Sequence, residues 1–141
     1  MRPLVVLHVE DNPDDLYLLA KAGRTAGLCA DFRSVSGGAE AVAYLRGDDR
    51  FSDREQFPLP DVIVLDLIMP EMDGFEFLRW LRQDAPCGPV PVLVFTGSLK
   101  DADRVRALEL GVKGYFLKPA HFDALVKLVG SCLGSQPEGI G

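Results

Sequence analysis

Residues 61–74 read DVIVLDLIMPEMDG, and this stretch decides the fold. Its apolar run, Val62 to Leu65, includes three β-branched residues and predicts a strand buried on both faces, as at the centre of a parallel sheet. Asp66 follows directly, and Pro70 and Gly74 then indicate a loop. Taken alone, Asp66 is equally compatible with a simple loop cap. A carboxylate at the carboxyl end of a central strand nevertheless stands where open α/β sheets bind their ligands.

The length and composition indicate one globular domain. The chain has 141 residues, of which 48% are hydrophobic and 26% charged, and its net charge is −6 without any basic run, which disfavours nucleic-acid binding. No uncharged stretch is long enough to span a bilayer, so we expect no membrane partner. The three cysteines, Cys29, Cys87 and Cys132, lack metal-site spacing, so we expect reduced thiols near the core of a cytoplasmic protein.

Strands alternate with helices along the chain. The predicted strands are Leu4–Val9, Cys29–Val35, Val62–Leu65, Val92–Phe95 and Tyr115–Leu117. The predicted helices run from Pro13 to about Gly27, and over Ala39–Arg46, Gly74–Gln83, Lys100–Leu110 and Phe122–Leu133. This alternation predicts an α/β fold with a doubly wound, five-stranded parallel sheet. We expect a domain over 1–133 and a flexible tail over 134–141.

Some residues and segments are interpreted as structural. Gly47–Pro60 reads as a solvated surface insertion with two phenylalanines as anchors. His8 lies in a buried strand and is interpreted as a packed core residue. Asp14 and Asp15 stand in a first helical turn, where the helix dipole favours acidic side chains. In the fourth helix, Val105 and Leu108 are expected on the apolar face.

The polar residues that interrupt the apolar strands fall at strand ends. Glu10 and Asp11 end the first strand, Asp66 the third, Thr96 the fourth and Lys118 the fifth. In a parallel sheet these ends share one edge, so three carboxylates, a hydroxyl and an ammonium should meet there. Three carboxylates repel unless a cation is present, and magnesium suits such oxygen ligands. Because a carboxylate can be a nucleophile, these residue types fit an aspartate that accepts a phosphoryl group.

Four motifs carry a family resemblance. They are VEDNPDD at 9–15, DLIMPEMDG at 66–74, FTG at 95–97 and YFLKP at 115–119. With these motifs in this order and spacing, the chain resembles the receiver domain of a two-component response regulator over about residues 4–133. The resemblance implies the flavodoxin-like strand order 2-1-3-4-5, with five helices around the sheet.

The resemblance also implies roles for the residues at the strand ends. Asp66 would accept the phosphoryl group, Asp11 would bind Mg²⁺ directly and Glu10 would bind it through water. The main-chain carbonyl of Ile68 and the Asp66 carboxylate would complete the protein ligands of the metal. Ile68 departs from the family pattern, because many receivers carry a polar residue at this position.

The remaining implied roles concern the phosphoryl group and the switch. Thr96 and Lys118 would contact the phosphoryl oxygens, and the peptide between Lys118 and Pro119 would be cis. Tyr115 falls at the family's switch aromatic and would act together with Thr96. The protein would then be a signalling switch that changes its partner-binding surface, and no enzyme beyond its own phosphorylation and dephosphorylation.

The resemblance implies a sensor histidine kinase as the partner. No output domain follows the last helix, so we expect a stand-alone receiver. VEDNPDD and the acidic Gly47–Pro60 segment resemble single-domain regulators that are paired with bacterial phytochrome kinases. The sequence does not identify the downstream protein, and the resemblance is compatible with a homodimer.

Three alternatives belong to other functional classes. A phosphatase of the haloacid dehalogenase type would carry a second aspartate at position 68, where this chain has Ile68. A flavodoxin would need a Ser/Thr-rich phosphate loop after the first strand, where Glu10 and Asp11 would repel a phosphate. A pseudo-receiver would keep the fold without phosphorylation, and the complete set of acidic, hydroxyl and lysine residues argues against it.

Overall fold

Five parallel strands form the centre of the molecule in the computed structural model, which describes residues 3–83 and 90–134. The strands are β1 (Leu4–Val9), β2 (Ala30–Val35), β3 (Val62–Leu65), β4 (Val92–Thr96) and β5 (Gly114–Leu117). Their order in the sheet is β2-β1-β3-β4-β5, and every neighbouring pair is parallel. This confirms the predicted doubly wound sheet and its strand order.

Within the described residues, five α-helices cover the two faces of the sheet. They are α1 (Pro13–Thr25), α2 (Gly38–Arg46), α3 (Gly74–Gln83), α4 (Asp101–Glu109) and α5 (Phe122–Gly134). Most bounds lie within a residue of the predicted ones, and α1 ends two residues earlier than expected because Gly27 already has a left-handed backbone, with φ of 75°. Residues 135–141 of the expected tail lie outside the described residues.

The core consists of two layers, one on each face of the sheet. Alternate residues of β1 point to opposite faces, so that Leu4 and Val6 belong to one layer and Leu7 and Val9 to the other. The first layer packs against α1 and α5, and the second against α2, α3 and α4. Strands β1, β3 and β4 are buried along their whole length, which explains why their sequences are nearly continuous apolar runs.

The segment between α2 and β3 lies on the surface with most of its residues exposed, and its two phenylalanines anchor it to the core as expected. Phe51 is buried and its ring packs against Tyr44 and Phe57, with ring centroids 5.0 and 5.1 Å apart. The Arg54 guanidinium donates hydrogen bonds to the carbonyls of Tyr44 (2.8 Å) and Leu45 (2.9 Å) in the last turn of α2. The segment therefore supplies hydrogen-bond donors to carbonyls in the last turn of α2, where the helix lacks donors of its own four residues ahead.

Some sequence-based expectations need correction. Val105 and Leu108 are exposed, and only Ala107 of α4 is fully buried, so the apolar face predicted for this helix does not point to the core. Cys29 is exposed although a position near the core was expected, and Cys87 lies outside the described residues. None of the helices within 3–83 and 90–134 is long and apolar enough to cross a membrane. The cytoplasmic location stays a prediction.

Candidate functional site

Asp66 lies directly after β3, at the edge where the sheet meets the loops. Its backbone N–H donates to the carbonyl of Val9 (3.0 Å) and so extends the pairing of β3 with β1 by one residue. Its carboxylate oxygen Oδ1 accepts a hydrogen bond from the backbone N–H of Ile68 (3.2 Å). The side chain is largely buried, and it therefore needs charged or hydrogen-bonding partners at this edge.

The loop after Asp66 folds back closely on the strand end. A Cβ atom at Gly74 would lie 2.7 Å from both the carbonyl oxygen of Asp66 and the Cα of Leu67, so glycine is required where α3 begins. Asp73 and Glu76 exchange hydrogen bonds between side chain and backbone N–H (2.9 and 3.3 Å) in a capping box. This tight helix start fixes the loop that carries Asp66.

Two more carboxylates follow β1. Glu10 is buried, with only 1% of its surface exposed, whereas Asp11 is exposed. One carboxylate oxygen from each of Glu10, Asp11 and Asp66 can be chosen so that all three lie within 4.8 Å of one another. Such a set of hard oxygen donors fits a divalent cation. The strand ends thus bring together the three acidic residues that the sequence assigned to a metal site.

Lys118, after β5, provides the positive charge of the site. Its ammonium donates to Glu10 (2.5 Å), Asp15 (2.8 Å) and Asp66 (3.2 Å), and it lies 5.7 Å from the centre of the Phe95 ring. Burial would lower the pKa of Lys118, but the hydrogen bonds to Asp15 and Glu10 outweigh it and raise the pKa above its ordinary value. The peptide between Lys118 and Pro119 is cis, as the resemblance implied.

Two buried groups beside Lys118 have opposite pKa shifts. Burial raises the pKa of Glu10 to about 7, because the loss of hydration outweighs the hydrogen bond from Lys118. Burial lowers the pKa of His8 to about 4, and the nearby Lys118 charge adds to this effect. His8 is buried as predicted, and its Nε2 has no hydrogen-bond partner among the described residues. His8 therefore stays neutral near pH 7.

Thr96 and Tyr115 are connected through Ser98. The buried Thr96 hydroxyl accepts a hydrogen bond from the backbone N–H of Ser98 (3.4 Å), and the Tyr115 hydroxyl donates to the Ser98 carbonyl (3.3 Å). The Ser98 hydroxyl in turn donates to Asp103 in the first turn of α4 (2.6 Å). Thr96 and Tyr115 were expected from the sequence, but their connection through the backbone N–H and carbonyl of Ser98 is apparent only in the three-dimensional structure.

Ile68 lies at the mouth of the site, with 61% of its surface exposed. Its backbone N–H contacts Asp66, while its side chain has no group that could donate or accept a proton. The position therefore lacks the acid/base residue that the phosphatase alternative requires.

Asp15 is the site residue that the sequence analysis missed. Both Asp14 and Asp15 were assigned to the helix start, and Asp14 does serve it, because its N–H donates to the capping Asn12 side chain (2.9 Å). Asp15 instead contacts Lys118. The motif gave no signal for this contact, because Asp15 lies in α1 and not at a strand end, so its distance from Lys118 depends on where the helix packs.

Known proteins share this fold. The model of the response regulator receiver domain matches residues 6–130. Response regulator Rcp1 from Synechocystis sp. is 32% identical over 127 residues, which cover 90% of this chain and 84% of Rcp1. The crystal structure of the Mn²⁺-bound form of Rcp1 is similar to the structure of this chain, with a TM-score of 0.78 and 29% identity. The match covers 99% of this chain and 98% of that one.

Two further solved structures extend the similarity. The red-light signalling response regulator RPA3017 of R. palustris has a TM-score of 0.81 at 31% identity, covering 98% of this chain and 96% of its own. The phosphorylated cyanobacterial phytochrome response regulator RcpA has a TM-score of 0.79 at 29% identity, covering 95% and 93%. The family match spans most of the chain and agrees with the strand order. The chain belongs to the response regulator receiver domains, the CheY-like phosphorylation-activated switches of two-component signalling systems.

Proposed function

We propose that Asp66 is the residue that accepts the phosphoryl group, and that a sensor histidine kinase supplies it. The observation that carries the proposal is the position of the Asp66 carboxylate, which lies within 4.8 Å of oxygens of Glu10 and Asp11 and 3.2 Å from the Lys118 ammonium. A carboxylate in this setting can attack phosphorus while cationic groups neutralise the phosphoryl oxygens.

The transfer itself is a displacement at phosphorus. A carboxylate oxygen of Asp66 forms the new P–O bond while the P–N bond to the kinase histidine breaks, and the imidazole leaves with the bonding electrons. The product is an aspartyl phosphate. Lys118 stands in contact with Asp66 before the reaction and can donate to a phosphoryl oxygen afterwards. The Thr96 hydroxyl, on the neighbouring strand, would donate to another of these oxygens.

The acidic cluster would hold Mg²⁺. Asp11 and Asp66 would bind it directly, Glu10 through water, and the Ile68 carbonyl would be the remaining protein ligand. The donor set is entirely oxygen, as magnesium prefers, and the related Rcp1 has been crystallised with Mn²⁺. When bound, the metal would neutralise carboxylate and phosphoryl charge, which the single Lys118 cannot do alone.

Phosphorylation would be transmitted through Thr96 and Tyr115. The Thr96 hydroxyl now accepts a hydrogen bond from the Ser98 N–H. If this hydroxyl turns to a phosphoryl oxygen, that hydrogen bond is broken. Ser98 also holds the Tyr115 hydroxyl and the first turn of α4, so a shift of this residue reaches both. The loop Gly97–Lys100 would then be the two-state element, and the surface of α4 and β5 would change.

The kinase partner would be of the bacterial phytochrome type. RcpA is a phytochrome response regulator and RPA3017 acts in red-light signalling, and both match over more than nine-tenths of this chain. Purified phytochrome kinases can test this by phosphotransfer. The homodimer stays a prediction from the resemblance.

Intact-mass measurement tests the acceptor. The wild type, incubated with acetyl phosphate and Mg²⁺, should gain one phosphoryl mass. Asp66→Asn should fold with an unchanged circular dichroism spectrum and gain none. Asp14→Asn is the matched control, because Asp14 is an exposed aspartate near the site without a contact to Lys118, and it should label like the wild type. Stoichiometric labelling of Asp66→Asn would show that another residue is the acceptor.

A further inference from the structure

Lys118 has three carboxylate partners, and they differ in what else they do. Its three N–H donors are all engaged, by Glu10, Asp15 and Asp66. Glu10 and Asp66 also belong to the acidic cluster, and Asp66 would become an ester on phosphorylation. Asp15 lies outside that cluster and is 25% exposed. Of the three contacts of Lys118, the one with Asp15 therefore involves no residue of the proposed metal site or phosphorylation site.

We infer that Asp15 is a positioning residue, which fixes the Lys118 ammonium so that one of its N–H groups points at the phosphoryl oxygens. The inference rests on the proposed role of Asp66 and goes beyond it. Asp15 stands in the first turn of α1, where Asn12 caps the helix and fixes its start. The Asp15 carboxylate is thus held by a rigid element, at 2.8 Å from an ammonium on a flexible stem.

The surroundings of Lys118 explain why such a partner is needed. A cavity of about 340 Å³ opens between the beginnings of α1 and α5, and its lining includes Asp15, Lys118, Phe95 and Asp123. The lysine stem has four rotatable bonds, and the cavity gives it space to leave the site. Asp123 offers a second carboxylate in the same cavity. Without Asp15, the ammonium can turn away from Asp66 into this space.

If Asp15 acts by positioning Lys118, removing it should change the anion affinity in the opposite direction from the change expected if Asp15 acts only through its charge. Removing a negative charge near an incoming anion should by itself strengthen anion binding. Removing a partner that holds Lys118 in place should weaken it, because the ammonium must then be ordered at the moment of binding. A variant that deletes the side chain and a variant that keeps a hydrogen-bond acceptor without charge therefore separate the two roles.

Beryllofluoride, a tetrahedral mimic of a phosphoryl group on a carboxylate, is the probe. Its dissociation constant is measured by calorimetry with excess Mg²⁺ at fixed pH. We expect about tenfold weaker binding in Asp15→Ala, which corresponds to about 1.4 kcal/mol. Asp15→Asn should recover to within about threefold of the wild type, since its amide oxygen can still accept from Lys118. Asp14→Ala, in the same helical turn, should bind like the wild type.

A second background tests whether the effect passes through Lys118. In Lys118→Met, the further change Asp15→Ala should weaken binding no more, because there is no ammonium left to position. Equal or tighter binding in Asp15→Ala, a loss in Asp15→Asn as large as in Asp15→Ala, or an equal loss in Asp14→Ala would each overturn the inference. Probe binding that survives in Asp66→Asn would refute the acceptor assignment instead, so the two failures are distinguishable.

Discussion

From the opposite pKa shifts of Glu10 and His8 we predict how the free energy of unfolding changes with pH in the absence of metal. The Glu10 pKa is raised from 4.5 to about 7, chiefly by burial, so the folded state holds a proton that the unfolded state has lost. The His8 pKa is lowered from 6.5 to about 4, also chiefly by burial. Between these two pH values His8 is protonated in the unfolded state and neutral in the folded state. Replacing either residue should therefore expose the pH dependence of the other.

The sign and size of the Glu10 contribution to the free energy of unfolding follow from the linkage between proton binding and folding. Its contribution to stability is fully present below pH 4.5 and is lost as the pH rises through about 7. Between pH 5 and pH 8 the two pKa values give a loss of about 2 to 3 kcal/mol in the free energy of unfolding.

The contribution of His8 has the opposite sign. It is fully present above pH 6.5 and is lost as the pH falls through about 4. Between pH 5 and pH 8 it adds about 2 kcal/mol to the free energy of unfolding. The two contributions nearly cancel, so this pair should leave the wild type with a net change of less than about 1 kcal/mol over this range.

Urea unfolding at pH 5 and pH 8 in EDTA measures these changes for the wild type, Glu10→Gln and His8→Leu. We expect the free energy of unfolding of Glu10→Gln to rise by about 2 kcal/mol from pH 5 to pH 8, and that of His8→Leu to fall by about 2 to 3 kcal/mol. Because each comparison is made within one variant, any constant cost of the substitution drops out. If all three proteins showed the same change between the two pH values, the burial argument for both groups would be refuted.

The remaining predictions concern the metal, the switch and the lifetime of the phosphorylated state. Asp11→Ala should bind Mg²⁺ more weakly and lose phosphorylation, while its unfolding free energy in EDTA stays the same or rises, since Asp11 is exposed among like charges; undiminished Mg²⁺ binding in calorimetry would show that Asp11 is no ligand. Thr96→Ala should still accept the phosphoryl group at Asp66 but give smaller amide-exchange changes in α4 and β5 than the wild type; changes equal to those of the wild type would exclude Thr96 from the coupling. Ile68→Asn and Ile68→Glu should release phosphate faster than the wild type in excess Mg²⁺, because a polar side chain can orient the attacking water, and each tenfold acceleration corresponds to about 1.4 kcal/mol; equal rates would remove Ile68 as the cause of a long lifetime.

The fold and most residues of the candidate site could be predicted from the sequence alone. The buried run before Asp66 and the alternation of strands and helices sufficed for the sheet, because parallel strands buried on both faces require continuous apolar residues. The polar residues that end these runs, from Glu10 to Lys118, could be assigned to one edge because all strands of a parallel sheet point the same way. These are properties of single segments and of their direction.

The hydrogen-bond partners of each side chain could be identified only in the folded structure. Asp15 was assigned to a helix start by its position in α1, and its contact with Lys118 depends on where the first turn of this helix lies relative to the end of β5. The hydrogen bonds of Arg54 to α2 and those that join Thr96 and Tyr115 through Ser98 likewise depend on the packing of loops against neighbouring elements. Sequence periodicity reports which face of an element is buried, whereas hydrogen bonds between distant elements depend on ångström-scale distances that only the packed chain sets.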